Sequence, residues 1–329
     1  MQVCVVEYSM NKIRDMVEKK GLLSMLAPME DVTDSVFRRM LCEIGRPDVF
    51  FTEFMNVDGY CSVGKKGVDH RVVFDDIERP IIIQLWGSNP ENFANTVREL
   101  KQLNPDGFDI NMGCAVRNVT STGGGSALIQ DQKLAKEIIE AVKSEAGDIP
   151  ISVKTRIGYE KVDTENWIGF LLKQDLDMLT VHGRIAKEGY NIPARWDEIA
   201  KCVKLRDEIS PSTLLIGNGD ITSIKQGEEY TKRYGTDGYM VGRGIMSNPW
   251  LFSGREDIST QERLDTLVKH CELFEEVWGE RKNFSITKKF VKAYIGGFDG
   301  AAELRMKLMS ANDSNSLKEI INGSCSHNE

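Results

Sequence analysis

Cys114 is the residue of this chain whose position most invites chemistry. It follows the glycine that closes an apolar run, inside "NMGCAVRN", where a packed core thiol would instead be expected on the strand itself. A thiol with an ordinary pKa of about 8.5 is mostly protonated at neutral pH, so it can donate a proton as well as attack as a nucleophile. No protease-like Cys/His/Asn arrangement accompanies it. Lys154 and His182 end two further apolar runs and are expected to point into one common mouth. Arg184, two residues after His182, falls on the same side if the backbone stays extended. Two glycine turns, "GNGD" and "GRG", suggest a third kind of chemistry. Gly217, Gly219, Gly242 and Gly244 let backbone N–H groups approach an anion, and Arg243 adds a forked, permanently charged donor, a set suited to phosphate.

These residues need a frame that brings strand ends together. Eight apolar runs start at Leu22, Val49, Pro80, Gly107, Ile151, Met178, Thr213 and Gly238. Each is read as followed by a longer stretch of helical spacing, the repeat of a strand and a returning helix. The pattern predicts a (β/α)8 TIM barrel over residues 22–252, close to the roughly 250 residues that such a barrel uses. A doubly wound sheet would show G-x-G-x-x-G after its first strand, but that turn reads "APMEDVTD". Barrel chemistry sits at the C-terminal strand ends. There the chain places Met29, Glu53, Gln84, Asn111 with Cys114, Lys154 with Arg156, His182 with Arg184, Asn218 with Asp220, and Arg243. The glycines Gly123 to Gly125 predict a mobile loop beside the site.

Beyond Pro249 the strand pattern stops. Leu264, Leu267, Val268, Cys271, Phe274, Val277 and Trp278 recur at helical intervals, and Ile286, Phe290, Ala293 and Tyr294 repeat them, so residues 257–329 are expected to form a small helical domain. From Arg281 to Lys307 there are seven basic residues against Asp299 and Glu303, which makes the Lys288, Lys289 and Lys292 helix a candidate basic face. Residues 1–21 form an N-terminal extension with an amphipathic stretch and no assigned role.

Composition narrows the function classes. With 329 residues, 41% hydrophobic and 28% charged, this is a folded chain rather than a disordered or fibrous one. No apolar run reaches the roughly 18 residues of a membrane helix, and Glu7 interrupts the apolar start that might suggest a signal peptide. Seven cysteines without a C-x-x-C pair support neither a disulfide framework nor a zinc site. The expectation is a cytoplasmic monomer without metal or membrane. A net charge of −8 disfavours a non-specific nucleic-acid coat but leaves room for a local basic face.

In order, "LAPMEDVTDSVFRRML", "IQLWGS", "DINMGC", "VKTRIG", "TVHGR", "GNGDI" and "MVGRG" resemble the tRNA-dihydrouridine synthases, FMN enzymes that reduce uridines in tRNA. The resemblance is strong over residues 22–252 and weaker in the tail, through "ITKKFVKAYIGGF" and Arg305. It implies that Pro28, Met29, Glu30, Gln84, Lys154, His182, Asn218, Gly219, Asp220, Gly242 and Arg243 bind FMN. Asn111, Lys154, His182 and Arg184 would surround the uracil. NADPH would reduce the flavin, hydride would pass to uracil C6, and Cys114 would protonate C5, with the target base flipped out of the RNA and the tail gripping the RNA backbone. Two positions depart from the pattern: the family's Cys-Pro reads Cys114-Ala115, and its basic residue four places after the cysteine is Asn118, for which Arg117 is a candidate substitute. Two other readings stay open here, a barrel flavin oxidoreductase acting on a free pyrimidine or similar small molecule, and a tRNA-binding homologue with weak or no catalysis.

Overall fold

Strands that are apolar on both faces need cover on both sides, and a closed parallel sheet ringed by helices supplies it. The computed structural model describes residues 9–325. Residues 1–8 of the expected extension and 326–329 of the expected tail lie outside the described residues.

Nine parallel strands form the sheet: β1 (Leu23–Leu26), β2 (Phe50–Phe51), β3 (Met55–Asn56), β4 (Ile81–Trp86), β5 (Gly107–Met112), β6 (Ile151–Arg156), β7 (Met178–His182), β8 (Leu214–Asn218) and β9 (Gly238–Val241). Their order is β1-β9-β8-β7-β6-β5-β4-β2, and a parallel bridge from Met25 to Val49 joins the two ends, closing a barrel of eight staves. The two-residue β3 pairs beside β2 on the same neighbour, β4, through Met55 and Leu85.

Helices α1 (Ser9–Lys20), α2 (Ser35–Ile44), α3 (Pro90–Leu100), α4 (Gln132–Ala146), α5 (Thr164–Leu172), α6 (Trp196–Ile209) and α7 (Ile224–Tyr234) precede or link the strands. Several starts are capped. Asn89, Asp131 and Ser223 each accept a hydrogen bond from a first-turn amide. One expected helix is absent. Between β3 and β4 the chain runs through the single turn Val57–Tyr60 and three short 3₁₀ turns, because Gly59, Gly64 and Gly67 interrupt a stretch with no apolar repeat at helical spacing.

The barrel interior at the N-terminal strand ends is dry. Leu23, Met25, Val49, Phe51, Ile82, Met178, Leu214, Ile216 and Met240 form one buried cluster, and Ile13 of α1 joins it with no exposed surface. Met16 and Val17 pack against the same cluster. The amphipathic extension that the sequence left without a role therefore plugs the barrel floor.

The chain divides into two compact units, and the division differs from the expected boundary at residue 257. The second unit starts at Arg243 and takes in Ser35–Arg46, the segment that holds α2. The cause is aromatic packing: Phe37 of α2 stacks on Phe290, with ring centroids 5.0 Å apart, and on His270 at 5.9 Å. The remaining helices of this unit are α8 (Thr260–Trp278), α9 (Lys288–Tyr294), α10 (Ala301–Leu308) and α11 (Ser314–Cys325). On α9, Phe290, Val291, Ala293 and Tyr294 are buried, whereas Lys289 and Lys292 are exposed on the opposite side and Lys288 donates to the Met309 carbonyl. No described helix is long and apolar enough to cross a membrane.

Truncating Ile13 to Ala should lower the unfolding free energy by about 2–5 kcal/mol, the range for emptying a well-packed aliphatic site. Urea unfolding followed by circular dichroism measures it, and a change within error would show that α1 is only laid against the barrel.

Candidate active site

Parallel register decides which side chains share the mouth. Three successive inward-facing rungs can be read across the central strands: Gln84, Asp109 and Ser152; then Asn111, Lys154 and Thr180; then Arg156, His182 and Asn218. The expected residues Gln84, Asn111, Lys154, His182 and Asn218 thus lie on neighbouring strand ends.

The lowest rung is a buried polar network. The Gln84 amide nitrogen donates to Asp109 at 2.6 Å, and the Ser152 hydroxyl donates to the other Asp109 oxygen at 2.5 Å. Burial pushes the Asp109 carboxyl up to about 6, although Ser152, Gln84 and the Lys154 charge pull it down. Asp109 and Ser152 were not among the expected site residues. Their signal was the strand alternation itself, which puts Asp109 two residues before Asn111 on the same face.

Above them, Lys154 keeps a fraction of its surface open and has no hydrogen-bond acceptor among the described residues. Burial, and then the Arg156 charge, push its ammonium down to about 8 against the pull of Asp109 and Cys114. Its ladder neighbour Thr180 is fully buried with a hydroxyl that lacks a partner. Two donors without acceptors on adjacent strands suit a ligand edge rich in carbonyl and imine acceptors, such as the pyrimidine edge of a flavin.

Cys114 sits on a turn that is held from two sides. The Asn111 side-chain oxygen accepts the amides of Gly113 (3.1 Å) and Cys114 (2.9 Å), while its nitrogen donates to the Gln84 oxygen at 3.0 Å. Arg156, 6% exposed, donates to the Gly113 carbonyl at 2.7 Å and to Ile185 at 3.1 Å. The thiol itself is partly buried. Desolvation pushes it up, with the Val116 backbone and the charges of Arg156 and Lys154 acting in the lowering direction, so at neutral pH Cys114 carries its hydrogen. By contrast, Cys202 and Cys271 are packed in the interior.

The glycine run after this turn is a packing device and not the mobile loop expected from three consecutive glycines. Gly124 and Gly125 are buried, and the Ser126 amide donates to the Cys114 carbonyl at 2.8 Å. Gly125 has φ +58°, and a Cβ there would lie 2.7 Å from that same carbonyl oxygen. A side chain would displace the cysteine.

His182 and Arg184 do meet, at 3.1 Å between the His Nε2 and the guanidinium. They do so through a tight turn and not along an extended strand, because β7 ends at His182 and the Arg184 amide bonds the His182 carbonyl. Since the guanidinium can only donate, Nε2 accepts and the ring proton sits on Nδ1. Arg184, expected against the uracil, is 1% exposed: it donates to both Asp220 oxygens (2.8 and 2.6 Å) and to the Ile192 and Tyr190 carbonyls. It therefore acts by holding His182. Asp220, expected at the cofactor, is committed to Arg184 and to the Ala194 amide.

Other expected cofactor residues divide similarly. The Glu30 carboxylate pairs with Arg71 at 2.8 Å, and Arg71 also reaches the fully buried Glu53, which accepts the Asp31 amide. Arg71 thus ties the turn after Pro28 and Met29 to the end of β2, a part played by a residue the sequence did not single out. Asn218 bridges β8 to the Met240 carbonyl at 2.8 Å, and Trp196 holds the Gly219 carbonyl at 3.0 Å. At Gly242 a Cβ would meet nothing nearer than Ala27 at 3.8 Å, so the end of β9 offers bare backbone facing open space. Arg243 follows directly and opens the short helical turn Gly244–Ser247. These residues fit a phosphorylated flavin: open backbone at one strand end, unpaired donors at the facing strands. Among the described residues no group of His, Cys, Asp and Glu could hold a metal ion.

Comparison with known proteins places the chain in a family. The family model described as "Dihydrouridine synthase (Dus)" matches residues 25–327. A Bacillus subtilis (strain 168) protein named "Probable tRNA-dihydrouridine synthase 2" is 44% identical over 301 residues, 90% of this chain and 92% of its own. A Staphylococcus aureus (strain COL) protein named "Probable tRNA-dihydrouridine synthase" is 44% identical over 290 residues, 87% of this chain and 88% of its own. A Staphylococcus epidermidis protein of the same name is 43% identical over 301 residues. On a match that runs through the barrel and the helices that follow it in sequence, the chain belongs to the dihydrouridine synthase family.

Proposed function

We propose that this protein reduces the C5–C6 double bond of a uridine in tRNA, with FMN as its bound flavin, NADPH as reductant and Cys114 as the proton donor. The observation that carries this reading is a partly buried thiol on a turn whose backbone Asn111 and Arg156 hold, directly beyond the Gln84, Asn111 and Lys154 side chains.

FMN, when bound, would supply a two-electron carrier that accepts hydride from NADPH and returns it to uracil C6. Lys154 would offset the negative charge of the reduced ring and orient its pyrimidine edge, while the fully buried Gln84, expected at that edge, is committed to Asp109 and Asn111 and would act by holding Asn111. The backbone at Pro28 and Met29 would cover the ring, while Asn218, Gly219, Gly242 and Arg243 would hold the phosphate. His182, steadied by Arg184 and Asp220, and Asn111 would hydrogen-bond the uracil. As C6 gains hydride, C5 takes the hydrogen of Cys114 Sγ, and the sulfur keeps the bonding pair as a thiolate until solvent reprotonates it. Arg156 and Lys154 lower the cost of that thiolate. Cys42, Cys61, Cys114, Cys202 and Cys271 are free thiols, which suits a reducing cytoplasm. The second unit would bind the RNA backbone, supported by exposed Lys289 and Lys292 on α9.

Nucleoside mass spectrometry of tRNA from cells lacking the gene should show one dihydrouridine missing, and an unchanged nucleoside profile would refute the reading. Replacing Cys114 with Ala should slow dihydrouridine formation by roughly 10²- to 10⁴-fold and leave flavin reduction by NADPH intact. Equal losses in the two half-reactions would remove the thiol from the proton step. The pH profile should separate the two acids. Lys154 titrates at about 8 and is charged below that value. If its cation is needed, kcat/KM falls as pH rises past about 8, and Lys154→Arg, charged throughout, shifts the fall to higher pH. An alkaline limb that is the same in both proteins would assign it to another group.

A further inference from the structure

Beside the Cys114 turn the barrel unit holds a cavity of about 350 Å³ that none of the roles above uses. It is lined by Ala115, Arg117, Thr120, Ser126, Tyr159 and Lys187. Its floor includes a polar group with nothing to bond. Ser126 has no exposed surface, and its hydroxyl has no hydrogen-bond partner. Buried hydroxyls are rarely left so, because the desolvation is uncompensated, and such a group in a cavity wall is a site awaiting an acceptor.

The rim supplies charge. Arg117 and Lys187 are exposed, and neither forms an ion pair with a carboxylate among the described residues; Lys187 lies 5.1 Å from the centroid of the Tyr159 ring. Most arginines elsewhere in the barrel unit do have such partners: Arg71, Arg79, Arg98, Arg195 and Arg206 each pair with Asp or Glu. Two uncompensated cations over a buried, unsatisfied hydroxyl make a receptor for an anion with several acceptor oxygens, and a phosphodiester has that chemistry.

Location selects the source of the phosphate. The Ser126 amide bonds the Cys114 carbonyl, and Ala115 belongs to the wall, so the cavity adjoins the proton donor. In the proposed reaction the RNA is the reactant that takes the Cys114 hydrogen, because the proton step belongs to the half-reaction that reduces the uridine. A nucleotide whose base faces the thiol must carry its sugar and phosphate past this turn. We propose that the cavity binds a backbone phosphate of the RNA adjoining the reduced nucleotide, gripped by Arg117 and Lys187 and accepting from Ser126. This rests on the reading of the protein as a tRNA-reducing enzyme.

The test measures binding of tRNA to the flavin-loaded enzyme across a salt series, together with both half-reactions. The double variant Arg117→Ala, Lys187→Ala should weaken tRNA binding roughly tenfold and flatten the log–log salt slope by about 1 to 2, while NADPH reduces the flavin at the unaltered rate. Arg117→Lys should keep most of the slope. Ser126→Ala should weaken tRNA binding severalfold yet leave the melting temperature of the free protein unchanged or raised, because it deletes an unsatisfied hydroxyl. A merely structural serine would move the two readouts together. Unchanged affinity and slope in the double variant would overturn the proposal, as would a loss confined to flavin reduction, which would hand the phosphate to the reductant. Absence of any dihydrouridine with the unmodified enzyme is a separate result that refutes the proposed function instead.

Discussion

A single buried carboxylate sets the polarity of the whole mouth. Asp109 is fully buried and accepts from Gln84 and Ser152, so the Gln84 amide must present its nitrogen downward and its oxygen upward. That oxygen accepts from Asn111, which leaves the Asn111 oxygen to take the two amides of the Cys114 turn. Each amide orientation is dictated by the one below it. The chain of donors and acceptors runs from the barrel interior to the Cys114 turn without a free choice, which gives the turn a defined position before any ligand arrives. Arg156 fixes the same turn from the neighbouring strand through the Gly113 carbonyl. Loss of the carboxylate would therefore be felt at the sulfur, three hydrogen bonds away.

The barrel separates stability from chemistry along its axis. At the strand starts, Leu23, Met178 and Leu214 are sealed by Ile13, a dry plug that contributes through burial alone. At the strand ends the inward positions turn polar, and the network there costs desolvation that the apolar floor offsets. The Asp109 carboxyl raised to about 6 and the Lys154 ammonium lowered to about 8 are the signature of that cost. Perturbation of both groups in opposite senses, on adjacent strands and one rung apart, marks a functional site more clearly than a fold requirement does.

Much of this could be read from the residues alone, since strand alternation and strand-end position are local properties. Gln84, Asn111, Cys114, Lys154, His182 and Asn218 were all expected at the mouth; the register brings five of them to adjacent strands, and Cys114 lies two residues past the end of β5. What could not be read depends on partners distant in sequence. Arg184 looked like a substrate contact, but Asp220, 36 residues on, claims its guanidinium. The triple glycine looked like a hinge, but Gly125 is there because the Cys114 carbonyl leaves no room for a Cβ. The helix after β1 looked like an ordinary crossover, but Phe37 joins it to His270 and Phe290 in the second unit. Composition likewise concealed the cavity beside Cys114, because an overall charge of −8 says nothing about where two unpaired cations gather.

The electrostatics of the thiol also suit the proton donation proposed for Cys114. A proton donor must hold its hydrogen until the adjacent carbon becomes basic, and then release it without leaving a stranded anion. Burial serves the first need by disfavouring the thiolate. Arg156 and Lys154 serve the second, since their charges favour the thiolate once it forms. A carboxylic acid under the same two cations would ionise at neutral pH and lose its proton before the reaction, whereas a hydroxyl would hold it too tightly to give it up. With its pKa between those of the other two, sulfur is the choice that this mixture of low exposure and positive charge can use.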